Sequence, residues 1–95
     1  MNKDTDIYQE ALEAFGKPAQ EQMLIEECAE LIVALCHYKR GRITDDDLIS
    51  EMVDVQLMLN QMRTLVNDES KWERWFTYKL DRLKSLIEKH KQRVG

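Results

Sequence analysis

Apolar side chains recur along the chain at steps of three and four, the period of amphipathic α-helices, and the breaks between the stripes divide the chain into four segments. The first stripe, Ile7, Tyr8, Ala11, Leu12 and Phe15, predicts a helix from about Thr5 to Phe15 that stops at Gly16. A second helix is expected to open at Pro18, whose missing N–H needs no partner in a first turn, and to run to about Arg40 before Gly41. The third begins behind Thr44, a capping residue, with Asp45, Asp46 and Asp47 in its first turn. It continues through Leu48, Met52, Val55, Leu59, Met62 and Val66 to about Asn67. Ser70-Lys71-Trp72-Glu73 has the spacing of a capping box and starts the fourth, whose apolar set is Trp72, Trp75, Phe76, Leu80, Leu83, Leu86 and Ile87.

The connections are short, so the turn around Arg40 to Ile43 is expected to fold the second and third helices into an antiparallel hairpin. The expected fold is all-α: a four-helix bundle-like single domain over residues 1–95, with this antiparallel central helical hairpin. Composition agrees. Three Gly and one Pro in 95 residues are too few for a fold built from many hairpin turns. A domain this small has a marginal core, so it is expected to be oligomeric. No apolar run approaches the roughly 18 residues that a bilayer crossing needs, and Met1 to Glu10 is acidic and polar, unlike a signal peptide. A cytoplasmic location without membrane contact is therefore expected. Cys28 and Cys36 lie eight apart on one helix, roughly 12 Å between α-carbons, too far for a disulfide. They are expected to be reduced, part-buried thiols, and neither they nor His37 and His90 have the spacing of a zinc site.

The formal net charge of −4 argues against non-specific nucleic-acid binding. Its distribution adds a feature: residues 1–70 carry a net −9 and residues 71–95 a net +5. An acidic body thus precedes a basic final helix.

Part of the acid excess has a pattern. Glu26, Glu27 and Glu30 form Glu-Glu-x-x-Glu on the second helix, and Glu51 and Asp54 form Glu-x-x-Asp on the third. Residues three apart share a helical face, so Glu27/Glu30 and Glu51/Asp54 are two pairs of converging carboxylates. Each pair is centred equally far from the turn, which in an antiparallel hairpin puts all four at one height. They also interrupt stripes continued by Met23, Ala34 and Met58, so they face packed surface rather than open water. Part-buried carboxylates that face one another need neutralising, and a hard divalent cation does this with oxygen ligands; Mg²⁺, or Mn²⁺, fits. With 10 Glu and 8 Asp in the chain, either short motif alone arises roughly once by chance, as Glu10/Glu13 does. The turn symmetry and the interrupted stripes favour a metal site over a solvated acidic face.

Lys79 and Arg82, three apart on the fourth helix between Trp75 and Leu86, add a cationic pair within an apolar stripe. Such a pair either snorkels beside a core or takes phosphates, and opposite a divalent ion it would hold a polyphosphate from its other side.

Taken together these residues resemble the MazG-like, all-α nucleoside triphosphate pyrophosphohydrolases. The likeness runs from Phe15-Gly16 through Gln20 and Ile25-Glu26-Glu27-Cys28-Ala29-Glu30-Leu31 to Lys39-Arg40-Gly41. It resumes at Glu51-Met52-Val53-Asp54-Val55 and at Tyr78-Lys79-Leu80-Asp81-Arg82-Leu83. The resemblance implies Mg²⁺-dependent cleavage between the α and β phosphates of a nucleoside triphosphate, giving a monophosphate and pyrophosphate. It implies Glu27, Glu30, Glu51 and Asp54 as metal ligands, and Glu26 as the group that orients or deprotonates the attacking water. Lys79 and Arg82 then bind phosphate and Gln20 contacts the substrate; the protein is implied to be a homodimer or homotetramer. The related phosphoribosyl-ATP pyrophosphohydrolases carry a His after the Asp where this chain has Val55-Gln56-Leu57-Met58-Leu59, so that activity is set aside, while dCTP- and dUTP-cleaving relatives remain open.

Other residues invite a functional reading that simpler physics covers. Asp45, Asp46 and Asp47 suit the positive end of a helix dipole. His37 is close enough to Glu30 to touch a substrate, but a His near a helix C-terminus is commonly structural. Trp72, Trp75 and Phe76 fit a core or subunit interface better than a base-stacking platform. A function of a different class stays in view: a non-catalytic helical interaction module with an acidic docking face.

Overall fold

The computed structural model describes residues 3–94, with side chains from 7 to 94. The polar stretch Met1 to Glu10 therefore lies partly outside the described residues. The chain is all-α, with α1 (Lys3–Phe15), α2 (Lys17–Lys39), α3 (Asp45–Val66) and α4 (Glu69–Val94), and no strand among the described residues. None of these helices is long and apolar enough to cross a membrane.

Local chemistry accounts for the breaks. Gly16 joins α1 to α2 at φ 83°, a left-handed backbone angle that suits glycine, and its N–H closes the last turn of α1 on the Leu12 carbonyl at 2.8 Å. Pro18 sits inside the first turn of α2, one residue later than the sequence pattern suggests, where its missing N–H still costs nothing. Thr44 caps α3 reciprocally: its Oγ1 accepts from the Asp47 N–H at 3.2 Å, and Asp47 Oδ2 accepts from the Thr44 N–H at 3.0 Å. Asn67 ends α3 in the left-handed region (φ 53°, ψ 49°) with its N–H on the Arg63 carbonyl.

The start of α4 departs from expectation. Asp68, not Ser70, is the cap, its Oδ1 accepting from the Lys71 N–H at 3.1 Å and the Ser70 hydroxyl at 3.0 Å. Both residues can cap, but the left-handed Asn67 turns the chain one step before Asp68, so the helix begins there.

The hairpin of α2 and α3 is the framework, and α1 lies mainly against α3. The core inside one chain is small: Ala34, Met58 and Gln20 are the buried side chains among the described residues. Met58 is 4% exposed, so Met58→Ala should cost about 2–5 kcal/mol in urea unfolding. A loss under about 1 kcal/mol would mean that this layer is not packed as described.

The fourth helix behaves differently from the other three. All its residues are exposed, and its stripe of Trp75, Phe76, Leu83 and Leu86 stands about half open to solvent rather than buried against the hairpin. The radius of gyration, 17.0 Å, accordingly exceeds the roughly 12 Å of a compact 95-residue domain. The elbow that directs α4 is braced. Arg63 on α3 makes two parallel bonds to Glu69, Nε to Oε1 at 2.9 Å and Nη2 to Oε2 at 2.6 Å, and its guanidinium lies 4.3 Å over the Trp72 ring. The expectation that Trp72, Trp75 and Phe76 lie in a core is thus not met within one chain. Amphipathicity marks which face of a helix is apolar without saying what covers it.

Candidate metal centre

Below the hairpin bend, one ligand oxygen each from Glu27, Glu51 and Asp54 comes together within 4.8 Å. Helix geometry puts them there: Glu51 and Asp54 project from one face of α3, and Glu27 faces them from α2 at the level where Asp54 is equally far from the turn. One oxygen each of Glu27 and Glu51 is shut off from solvent and has no hydrogen-bond partner. Among the described residues, the ion pairs involve Arg63 and Lys71 and none of these acids. Partial burial pushes the Glu27 carboxyl above its ordinary range, and the charges of Glu30, Asp54 and Glu51 push it further. Such a cluster pays an electrostatic penalty as it stands, and its donor set is the hard-oxygen type that suits Mg²⁺ or Mn²⁺.

The other expected residues sort themselves by distance from this centre. Glu30 is exposed and outside the closest group, but near enough for its charge to act on Glu27. Glu26 is exposed, accepts from Gln22 Nε2 at 3.3 Å, and leaves α2 about 100° round from Glu27. It is not one of the converging carboxylates.

Gln20, expected as a substrate contact, sits between helices rather than at the surface. It is 0% exposed, and its Nε2 donates to the Ala11 carbonyl at 3.4 Å, so it ties α2 to α1 from inside. Its Oε1 is buried without a partner. Lys79 and Arg82 are exposed on α4, which does not pack over the carboxylates of its own chain, and Lys79 lies 5.9 Å from the Trp75 ring centre. The facing of this cationic pair against the acids does not occur within one chain. Cys28 and Cys36 are free, and exposed rather than part-buried.

A cleft of about 420 Å³ adjoins the carboxylates. Glu30 and Glu51 stand at one end, Val33, Ala34 and Ile43 form apolar walls, and His37 and Asp47 lie toward the hairpin turn. The placement of Asp47 escaped the sequence reading, which assigned it to the helix dipole alone. The signal was present, because Asp47 is four residues before Glu51 and so shares its face. A second hollow of about 460 Å³ lies at the α3–α4 elbow between Lys71, Trp72, Trp75, Phe76 and Lys79.

Comparison of the chain with protein-family models, curated proteins and solved structures returns no match.

Proposed function

We propose that the protein is a Mg²⁺-dependent nucleoside triphosphate pyrophosphohydrolase of the MazG-like kind, cleaving between the α and β phosphates. The observation that carries this reading is the convergence of Glu27, Glu51 and Asp54 across the hairpin, with two buried, unpartnered carboxylate oxygens and, among the described residues, no cationic side chain paired to them. The resemblance quoted above supplies the reaction. Glu27, Glu51 and Asp54 would hold the ion, with Glu30 beside them closing the set. Bound there, Mg²⁺ would acidify a water and offset charge on the triphosphate and on the leaving pyrophosphate. The chain's own contribution is positional: rigid helices hold the carboxylates in place before substrate arrives. Glu26, on the solvent side of the same helical turn, is the residue left to orient the attacking water.

The same reading makes the active form a homodimer or homotetramer. The apolar stripe of α4 stands exposed along the helix, the kind of contiguous patch that marks an interface, and its basic residues complement the acidic hairpin. Lys79 and Arg82 would then take phosphates at a centre on another copy. The cytoplasm, where nucleoside triphosphates are made and used, is the matching location.

Pyrophosphate release from a panel of canonical and modified triphosphates tests the reaction, with light scattering run on the same sample. Release that requires Mg²⁺ or Mn²⁺ is expected, together with a melting temperature that rises with the ion and a scattering mass of two or four chains. If no triphosphate yields pyrophosphate and the ion leaves the melting temperature unchanged, the enzyme reading fails. The exposed α4 would then favour the interaction module.

A further inference from the structure

The cleft beside the carboxylates has an end that the proposed metal chemistry does not use. From Glu30 to His37 is two helical turns, about 10 Å along α2, and from Glu51 back to Asp47 is one turn, about 6 Å along α3. The cleft therefore runs from the candidate metal centre toward the hairpin bend, with apolar walls between two polar ends. Its volume of about 420 Å³ lies in the range of small-molecule sites, roughly 300–1,000 Å³. A ligand filling it would have one end at Glu30 and Glu51 and the other at His37 and Asp47.

A nucleoside has this form: a phosphate-bearing end, a sugar, and a flat ring whose faces are apolar and whose far edge carries hydrogen-bonding groups. The far end of the cleft also has a defined polarity. Asp47 spends Oδ2 on the Thr44 N–H and hydroxyl, both at 3.0 Å, while Oδ1 takes no part in the capping box. Those hydrogen bonds hold the Asp47 carboxyl below its ordinary range, so it stays an ionised acceptor. An acceptor fixed in this way favours a base that offers an amino group and disfavours one that offers a carbonyl oxygen at the same position.

Resting on the pyrophosphohydrolase reading, we propose that this cleft is the nucleoside seat and that Asp47 selects cytosine or adenine, whose exocyclic amino group stands where uracil and thymine carry a carbonyl oxygen. His37 supplies a second polar group at the same edge, and Val33 and Ile43 contact the ring or sugar. Asp47 is a specificity residue here and takes no part in bond breaking. Its capping box both starts α3 and fixes a carboxylate that lines the cleft.

Two substitutions test this, with steady-state kinetics on dCTP, dUTP, ATP and dTTP. In Asp47→Asn the amide oxygen can keep the capping hydrogen bonds, and the amide NH₂ takes the place of Oδ1, so the helix start survives and the polarity at the cleft reverses. The preference for dCTP over dUTP should fall by about tenfold or more, with little change in the Mg²⁺ concentration needed. Val33→Trp, at an exposed position, should fill the cleft and raise KM for every triphosphate about tenfold or more, while Mg²⁺ still raises the melting temperature as in the parent. Turnover whose base preference is the same in the parent and in Asp47→Asn overturns the assignment of Asp47. Unchanged KM in Val33→Trp overturns the seat itself. Both outcomes leave the pyrophosphohydrolase reading standing, whereas absence of turnover by the parent protein on all four substrates and the wider panel removes that reading and this one together.

Discussion

Asp54→Asn and Glu51→Gln are each expected to lower pyrophosphate release by on the order of 10²-fold or more while leaving the far-ultraviolet circular dichroism of the helices unchanged. Each substitution removes one charge from a group of three carboxylates whose ligand atoms lie within 4.8 Å. Metal affinity falls because a hard cation loses an anionic oxygen. The metal-free fold has the opposite interest in the same charge. Its like charges repel without a counter-ion, and Glu27 in particular is held away from its ordinary ionisation by burial and by its neighbours. Without metal, both variants should therefore melt at a higher temperature than the parent, by a few degrees. Loss of function with gain of stability is the signature of a site held against its own electrostatics. Glu10→Gln, on the exposed face of α1, is the control and should change neither quantity. Variants of Asp54 and Glu51 that turn over normally would show that the ligand assignment is wrong. Variants that lose activity and also melt lower would place these acids in the packing of the hairpin.

The parts of this molecule that were legible in the sequence are those set by local chemistry and by simple symmetry. Gly16, Gly41, Thr44 and Asn67 each impose a backbone conformation or a cap within a few residues, and each marks a helix end in the structure. The meeting of Glu27 with Glu51 and Asp54 needed one step more, the equal distance of residues 27 and 54 from a short turn, and that is also geometry within one hairpin. The failures over Gln20 and the fourth helix concern what lies beyond a single hairpin. Gln20 has the polarity of a surface residue, and only the docking of α1 buries it. Trp75 and Phe76 have the spacing of a core stripe, but a spacing carries no information about whether the covering surface comes from the same chain. Lys79 and Arg82 share that ambiguity, because their partner surface depends on where α4 points. The elbow that points it rests on Arg63, Glu69 and Trp72, whose joint geometry no short motif records.

Stability of the metal-free protein should decline from mildly acidic toward neutral pH, and Mg²⁺ should remove that decline. The Glu27 carboxyl titrates above its ordinary value of 4.5 in the folded chain. Between that value and the raised one, the folded protein keeps a proton that the unfolded protein has released, so stability contributed by this group falls as pH rises. Asp47, Asp68 and Glu69 act in the opposite sense. Hydrogen bonds hold all three below their ordinary values, so their contributions are present above about pH 4 to 5 and are lost only under more acidic conditions. The two groups together predict a maximum in metal-free stability at mildly acidic pH, with Glu27 responsible for the falling side. A divalent ion binds the ionised carboxylates, releases the proton from Glu27, and gains affinity as pH rises. The gain in melting temperature on adding Mg²⁺ should therefore be larger at about pH 8 than at about pH 5, and calorimetry in buffers of different ionisation enthalpy should detect proton release on binding. Glu27→Gln separates this account from a general effect of net charge. It should flatten the falling side without metal and, through the lost ligand, shrink the Mg²⁺ effect at every pH, leaving the acid side governed by Asp47, Asp68 and Glu69 unchanged. A falling side that survives in Glu27→Gln would assign the pH response to the acidic surface as a whole.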